Sequence, residues 1–144
     1  MPAALASDLD DLNQRFTAAL AALEGSLKLP APDVIELGKR RAALARVTTE
    51  RVRFVHGRLC PMLATGPTPR HAAAAGQLRE RVAAVIAASN RHIGEWSTGQ
   101  IAADWTGYGA ATRAMVAQVR AVLAMERRDI YPLLATVAQG RDAA

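Results

Sequence analysis

The side chains of this chain that could carry chemistry are few and thinly spread. Glu126 sits in the middle of an apolar stripe made by Met115, Val119, Val122, Ile130 and Leu133, which recur at helical spacing. A carboxylate on such a stripe is costly unless it is paired, hydrogen-bonded or ligating. Arg51 falls on a second stripe, with Leu37, Leu44, Val47, Val55, Leu59 and Met62. The three histidines do not form an obvious set. His56 is one residue round from Val55 and should face outward. His71 and His92 fall near the two ends of one helical pattern, about 30 Å apart at 1.5 Å per residue, too far to share a metal. His92 and Glu95 are three apart and could grip a surface metal weakly, or simply be solvated. The one cysteine, Cys60, excludes an internal disulfide. Beside Leu59 it reads as a packed thiol rather than a reactive one. There is no nucleophile with a base at matching spacing, no phosphate loop and no pair of carboxylates on one helix face, so catalysis is not expected.

The elements that must position these groups read as helices. Leu9, Leu12, Phe16, Leu20 and Leu23 give a first helix over about residues 8–24, with Ser7 as its cap and Gly25 as its stop. Pro32 suits the first turn of a second helix over about 33–64, which Pro61 should kink or tighten near its end. Gly66-Pro67-Thr68-Pro69 is a loop, and Thr68 and Pro69 can cap and start a third helix over about 69–95. That helix carries Leu78, Val82, Val85, Ile86 and Ile93 on its apolar side. Ser97-Thr98-Gly99-Gln100 has capping-box spacing, so a new segment starts there. A fourth helix follows over about 106–138, loosened at its start by Gly107 and Gly109, and the tail from Gly140 to Ala144 should fray. Trp96, Ile101, Trp105 and Tyr108 cluster at the junction, either as a plug for one end of the core or as an aromatic ligand pocket. A pocket lined by Phe16, Met62, Trp105, Tyr108 and Met115 is a further arrangement that these core-type residues allow. Four long helices with short connections imply an all-α, antiparallel up-down four-helix bundle.

Composition agrees with helices. The chain has 144 residues, enough for one domain over 1–144, and 51% of them are hydrophobic but only 4% aromatic. Much of the apolar content is alanine, which favours close helix packing. No apolar run reaches the roughly 18 residues of a membrane span. The N-terminus has no basic segment before an apolar one, so a cytoplasmic protein is expected. The net charge is +5, and all but two of the 18 basic residues are arginine. They are spread over every helix without interleaved aromatics, so nucleic acid is not an expected partner.

The chain also repeats itself. Arg51 to Thr65 aligns with Val122 to Thr136 at an offset of 71, so that Leu59-Cys60-Pro61-Met62-Leu63-Ala64-Thr65 falls on Ile130-Tyr131-Pro132-Leu133-Leu134-Ala135-Thr136. The second and fourth helices are thus related by a pseudo-twofold, and Leu12–Phe16 against Leu78–Val82 is compatible with the same relation for the first and third. A bundle whose second and fourth helices end in this hydrophobic-Pro-hydrophobic-Leu signature resembles the hemerythrin-like (HHE) family. In that family a ligating Glu precedes such a segment, as Glu126 does here. The resemblance implies a di-iron centre held by a His from each of the first and third helices and a His-x-x-x-Glu pair from each of the second and fourth. Residues four apart share a helix face, which is why that spacing suits a shared metal pair. Here Val122 stands in the His place before Glu126, Arg51 and Val55 stand in the His and Glu places of the second helix, Asn13 matches the first-helix His, and the third-helix match lies near Arg79.

The resemblance therefore implies a divergent member with Glu126 as a remnant metal-ligand position. Arg51 and Glu126 would form a buried charge pair where the irons sat, or else Arg51 would snorkel out and leave Glu126 partly exposed. The function expected is a non-catalytic binding or regulatory module without a cofactor, acting on an unknown protein or small-molecule partner and not on a membrane. The alternative is an iron- or other metal-binding oxygen or redox sensor with altered ligands.

Overall fold

The computed structural model describes residues 2–143, with side chains described for residues 3–137. It is all-helical, and no strand occurs among the described residues. Helix α1 covers Pro2–Ser26. It begins earlier than the Ser7 cap implies, because a proline needs no amide partner in a first turn. It also runs past Gly25. No described residue has a positive φ, so there is no left-handed glycine stop. Instead the chain leaves through short turns, Leu27 N–H to Glu24 O at 3.0 Å and Lys28 N–H to Gly25 O at 3.3 Å. Arg40 reaches across to the Ala22 carbonyl at 2.8 Å and the Ser26 hydroxyl at 2.9 Å, satisfying acceptors that the helix end leaves open.

Helix α2 covers Val34–Phe54, capped by Asp33, whose carboxylate accepts the Glu36 amide. It passes without a break into a π turn over Val55–Leu59 and then into α3, Cys60–Ala64. Helix α4 covers Pro69–Glu95. A short α5, Thr98–Ala103, starts at a full capping box between Ser97 and Gln100. Helix α6, Trp105–Met125, is capped by Asp104, whose carboxylate accepts the Gly107 amide at 2.9 Å. A Cβ at position 107 would stand 2.1 Å from that carboxylate, so the glycine lets the cap close rather than loosening the helix. A second π turn covers Glu126–Ile130, and α7 covers Tyr131–Ala143. The tail expected to fray from Gly140 continues α7 as far as Ala143, and Ala144 lies outside the described residues.

The two π turns lie 71 residues apart, in register with the sequence repeat, and each is followed two residues later by a proline. Proline in a helix interior removes one amide donor and crowds the carbonyl four residues back. Here the chain widens ahead of it: Cys60 N–H bonds Val55 O, and Tyr131 N–H bonds Glu126 O, each five residues back. The helix is therefore widened, not tightened, just before Pro61.

Side-chain bonds fix how the helices run. Asp8 pairs with Arg58 and Glu50 with Arg15, so α1 and α2 are antiparallel. Asn13 meets Tyr131 and Glu24 meets Arg120, so α1 runs antiparallel to α6–α7. His71 meets Thr136 and His92 meets Thr112, so α4 does too. Two apolar clusters fill the interior. One holds Leu5, Leu9, Leu12, Phe54, Val55, Leu59, Leu63, Leu78, Val82 and Ile130. The other holds Phe16, Leu20, Leu23, Leu37, Leu44, Val47, Ile101, Tyr108, Val116 and Val119. Ile93, placed on the apolar side from its spacing, is 52% exposed. The last turns of α4 have rotated so that His92 faces inward instead.

Candidate functional site

Between the two apolar clusters lies one polar layer. Glu126 opens the second π turn and is 0% exposed. Its Oε2 accepts from the Arg51 Nη2 of α2, and both side chains are buried. The structure thus brings Arg51 and Glu126 together, with the guanidinium kept inside. The Phe16 ring covers it, 5.8 Å from centroid to guanidinium carbon. Arg51 Nε donates to Asn13 Oδ1 at 3.1 Å, and Asn13 Nδ2 donates to the Tyr131 hydroxyl. Four helical segments so contribute one connected chain, Glu126–Arg51–Asn13–Tyr131. Glu126 Oε1 is buried without a partner among the described residues. Burial pushes the Glu126 carboxyl above its ordinary value, and Arg51 pulls it back only in part. Burial also raises the Tyr131 phenol, with the nearby Glu126 acting in the same direction.

The positions that the family resemblance assigns to metal ligands do not fit a di-iron group. Val55 is 0% exposed and faces the same interior as Glu126, but it is apolar. Arg79 is exposed, and Val122 is half-buried. The remaining carboxylate is held by a guanidinium, which occupies its oxygen as a cation would. Among the described residues no three His, Cys, Asp or Glu side chains gather closely enough to hold a metal ion.

The histidines take other places. His56 is exposed. His71 is 2% exposed, with Nδ1 bonded to the Thr68 hydroxyl at 2.7 Å and Nε2 to that of Thr136 at 2.7 Å. Thr68 thus spends its hydroxyl on the ring and makes no side-chain cap for α4. Gly66 makes room for that ring, since a Cβ there would meet it at 2.1 Å. His92 is not a solvated partner of Glu95. It is 8% exposed, bonds the Thr112 hydroxyl through Nε2 at 3.0 Å and stacks on Tyr108. Burial, then the Arg41 charge, holds its pKa below the usual imidazole value. Cys60 is buried against the Ala75 carbonyl, and burial raises its thiol, as a packed cysteine requires.

Tyr108 is the centre of the aromatic junction. Trp96, Trp105 and His92 surround its ring with centroids 5.5–5.7 Å away. These rings pack on one another around Tyr108. The five-residue pocket does not assemble: Phe16, Trp105, Tyr108 and Met115 belong to one cluster, whereas Met62 packs against the other. A groove of about 530 Å³ runs along the seam of α1 with the second π turn and α7, where Asn13 and Tyr131 form part of the wall. The pairing of Asn13 with Tyr131 was not readable in advance. Its only trace is that Tyr131 follows Glu126 by five residues, which share a face only where a π turn lies between.

Among the described residues no helix is long and apolar enough to cross a membrane. No family model, curated protein or solved structure matches this chain.

Proposed function

We propose that this chain is a metal-free, non-catalytic binding or regulatory module on an antiparallel up-down four-helix bundle of hemerythrin-like descent. The antiparallel side-chain pairings and the repeated π-turn–proline device support the bundle and its internal twofold. The observation that carries the functional reading is the Arg51 guanidinium seated on Glu126. Where the family's pattern has ligands converging on metal, these positions hold an ion pair, an amide and apolar side chains. A guanidinium and a metal ion compete for the same carboxylate, and Val55 and Val122 offer no donor in its place.

Metal analysis by mass spectrometry, on protein purified without chelator or affinity tag, tests the reading. The expected result is no stoichiometric iron or zinc in a protein that unfolds cooperatively. An iron pair in every chain, with an oxo-bridge absorption band, would overturn it in favour of an oxygen or redox sensor.

A further inference from the structure

The polar layer does not end inside the protein. Arginine has donors and no acceptor, so the Asn13 side-chain oxygen must face Arg51. That turns the Asn13 amide nitrogen to Tyr131, whose oxygen accepts from it. The phenol proton is then left to donate elsewhere. It does not go to Glu126 Oε1, which has no partner. Tyr131 lines the groove of about 530 Å³, within the usual range of small-molecule sites. The relay thus ends on a hydroxyl whose proton is free to meet an acceptor in the groove.

Two further charges face the same groove: Arg127 and Asp10. Each lacks an ion-pair or hydrogen-bond partner among the described residues, unlike Arg15, Arg58 and Arg120 nearby. Their order follows from the antiparallel seam. Asn13 lies opposite Tyr131 and Glu24 opposite Arg120, which sets Arg127 opposite Thr17. Asp10 and Thr17 are seven residues apart, about 10 Å along the helix. An acid therefore stands at one end of the groove, with the phenol donor and then an arginine further along it. An anion alone would face Asp10, and a cation alone would face Arg127.

We propose that this groove binds a small zwitterion whose carboxylate and ammonium groups are several ångströms apart, as in an ω-amino acid. The carboxylate takes the Tyr131 hydroxyl and Arg127, and the ammonium takes Asp10. This deepens the reading of the chain as a binding module and rests on it. The test is a titration of the full chain followed by NMR at the Asn13 side-chain amide, with glycine, γ-aminobutyrate, acetate and methylammonium as probes. γ-Aminobutyrate should give a saturable shift and bind more tightly than glycine, acetate or methylammonium. Tyr131→Phe should weaken it about tenfold, the scale of one hydrogen bond to a charged group. Asp10→Asn and Arg127→Gln, both on exposed positions, should weaken it with the fold intact. Absence of any saturable shift, acetate binding as well as γ-aminobutyrate, or an unchanged affinity in Tyr131→Phe would each overturn the proposal. Metal content measured on the same sample separates the two readings. A stoichiometric metal sinks the module itself, whereas metal-free protein without a shift sinks the groove alone.

Discussion

The two halves of the repeat share a backbone device and differ in what they place on it. Val55 and Glu126 each open a π turn, each lies five residues before the amide that closes it, and each is 0% exposed. One is a valine in an apolar cluster and the other a carboxylate. The position four residues before each differs in the opposite sense, Arg51 in one half and Val122 in the other. The π turn accompanies the following proline in both halves, whichever side chain opens it, and is not a mark of chemistry. The chemistry comes from the asymmetry. Each half has one charged and one apolar residue at these two positions, and the two charged residues meet across the interior.

This contrast can be broken most sharply at Glu126. Glu126→Ala strands the buried Arg51 charge and should lower stability by about 3–5 kcal/mol, the usual cost of removing one partner of a buried pair. An unchanged melting temperature would refute the pairing. Val55→Ala, the matching cut in the other half, removes only apolar packing and should cost about 2 kcal/mol. Urea denaturation of the two variants side by side measures the difference. Replacing both partners, Arg51→Met with Glu126→Leu, should return stability to within about 1 kcal/mol of the parent, or above it. If the double variant is as weak as Glu126→Ala, the layer contributes through something other than the pair.

The pH profile gives the smallest and most specific signal. Burial raises the folded Glu126 pKa above its ordinary 4.5, so the folded state holds the proton where the unfolded chain has released it. Its contribution to stability is full below pH 4.5 and is lost as pH rises through the folded value. His92 has the opposite sign. Its folded pKa is lowered from 6.5, so its contribution is full above pH 6.5 and is lost as pH falls through the folded value. Urea midpoints measured from pH 4.5 upward should show both slopes. Glu126→Gln should remove the loss on raising pH, and His92→Gln the loss on lowering it. Val55→Ala should move neither.

Much of the helical layout was legible because it rests on local rules. The capping box at Ser97, the proline start at Pro69 and the apolar spacing of Leu9 to Leu23 all act within a few residues. So did the inward position of Arg51 and Glu126, since each lies on a stripe that must be buried. Other features depend on what a distant element offers. His92 turns inward because Thr112 and Tyr108 wait there, and Ile93 is displaced to solvent by the same rotation. His71 is buried because Gly66 leaves space and Thr136 supplies a partner. The Asn13–Tyr131 contact depends on the extra residue of a π turn, which shifts every following side chain off the ordinary helical spacing.

The polar layer between the two apolar clusters also governs how the helices can slide. Buried alanines such as Ala74 and Ala75 make a smooth contact, and smooth contacts tolerate several alignments of nearly equal energy. A slip of α1 by one turn, about 5.4 Å, would replace Asn13 beside Arg51 with Leu9 or Thr17. The same slip of the last long helix would set Val122 or Ile130 against the guanidinium. A slip of the last helix leaves the Arg51 charge facing hydrocarbon and a slip of α1 removes its Asn13 acceptor, so the layer favours a single registry among those that the alanines would permit.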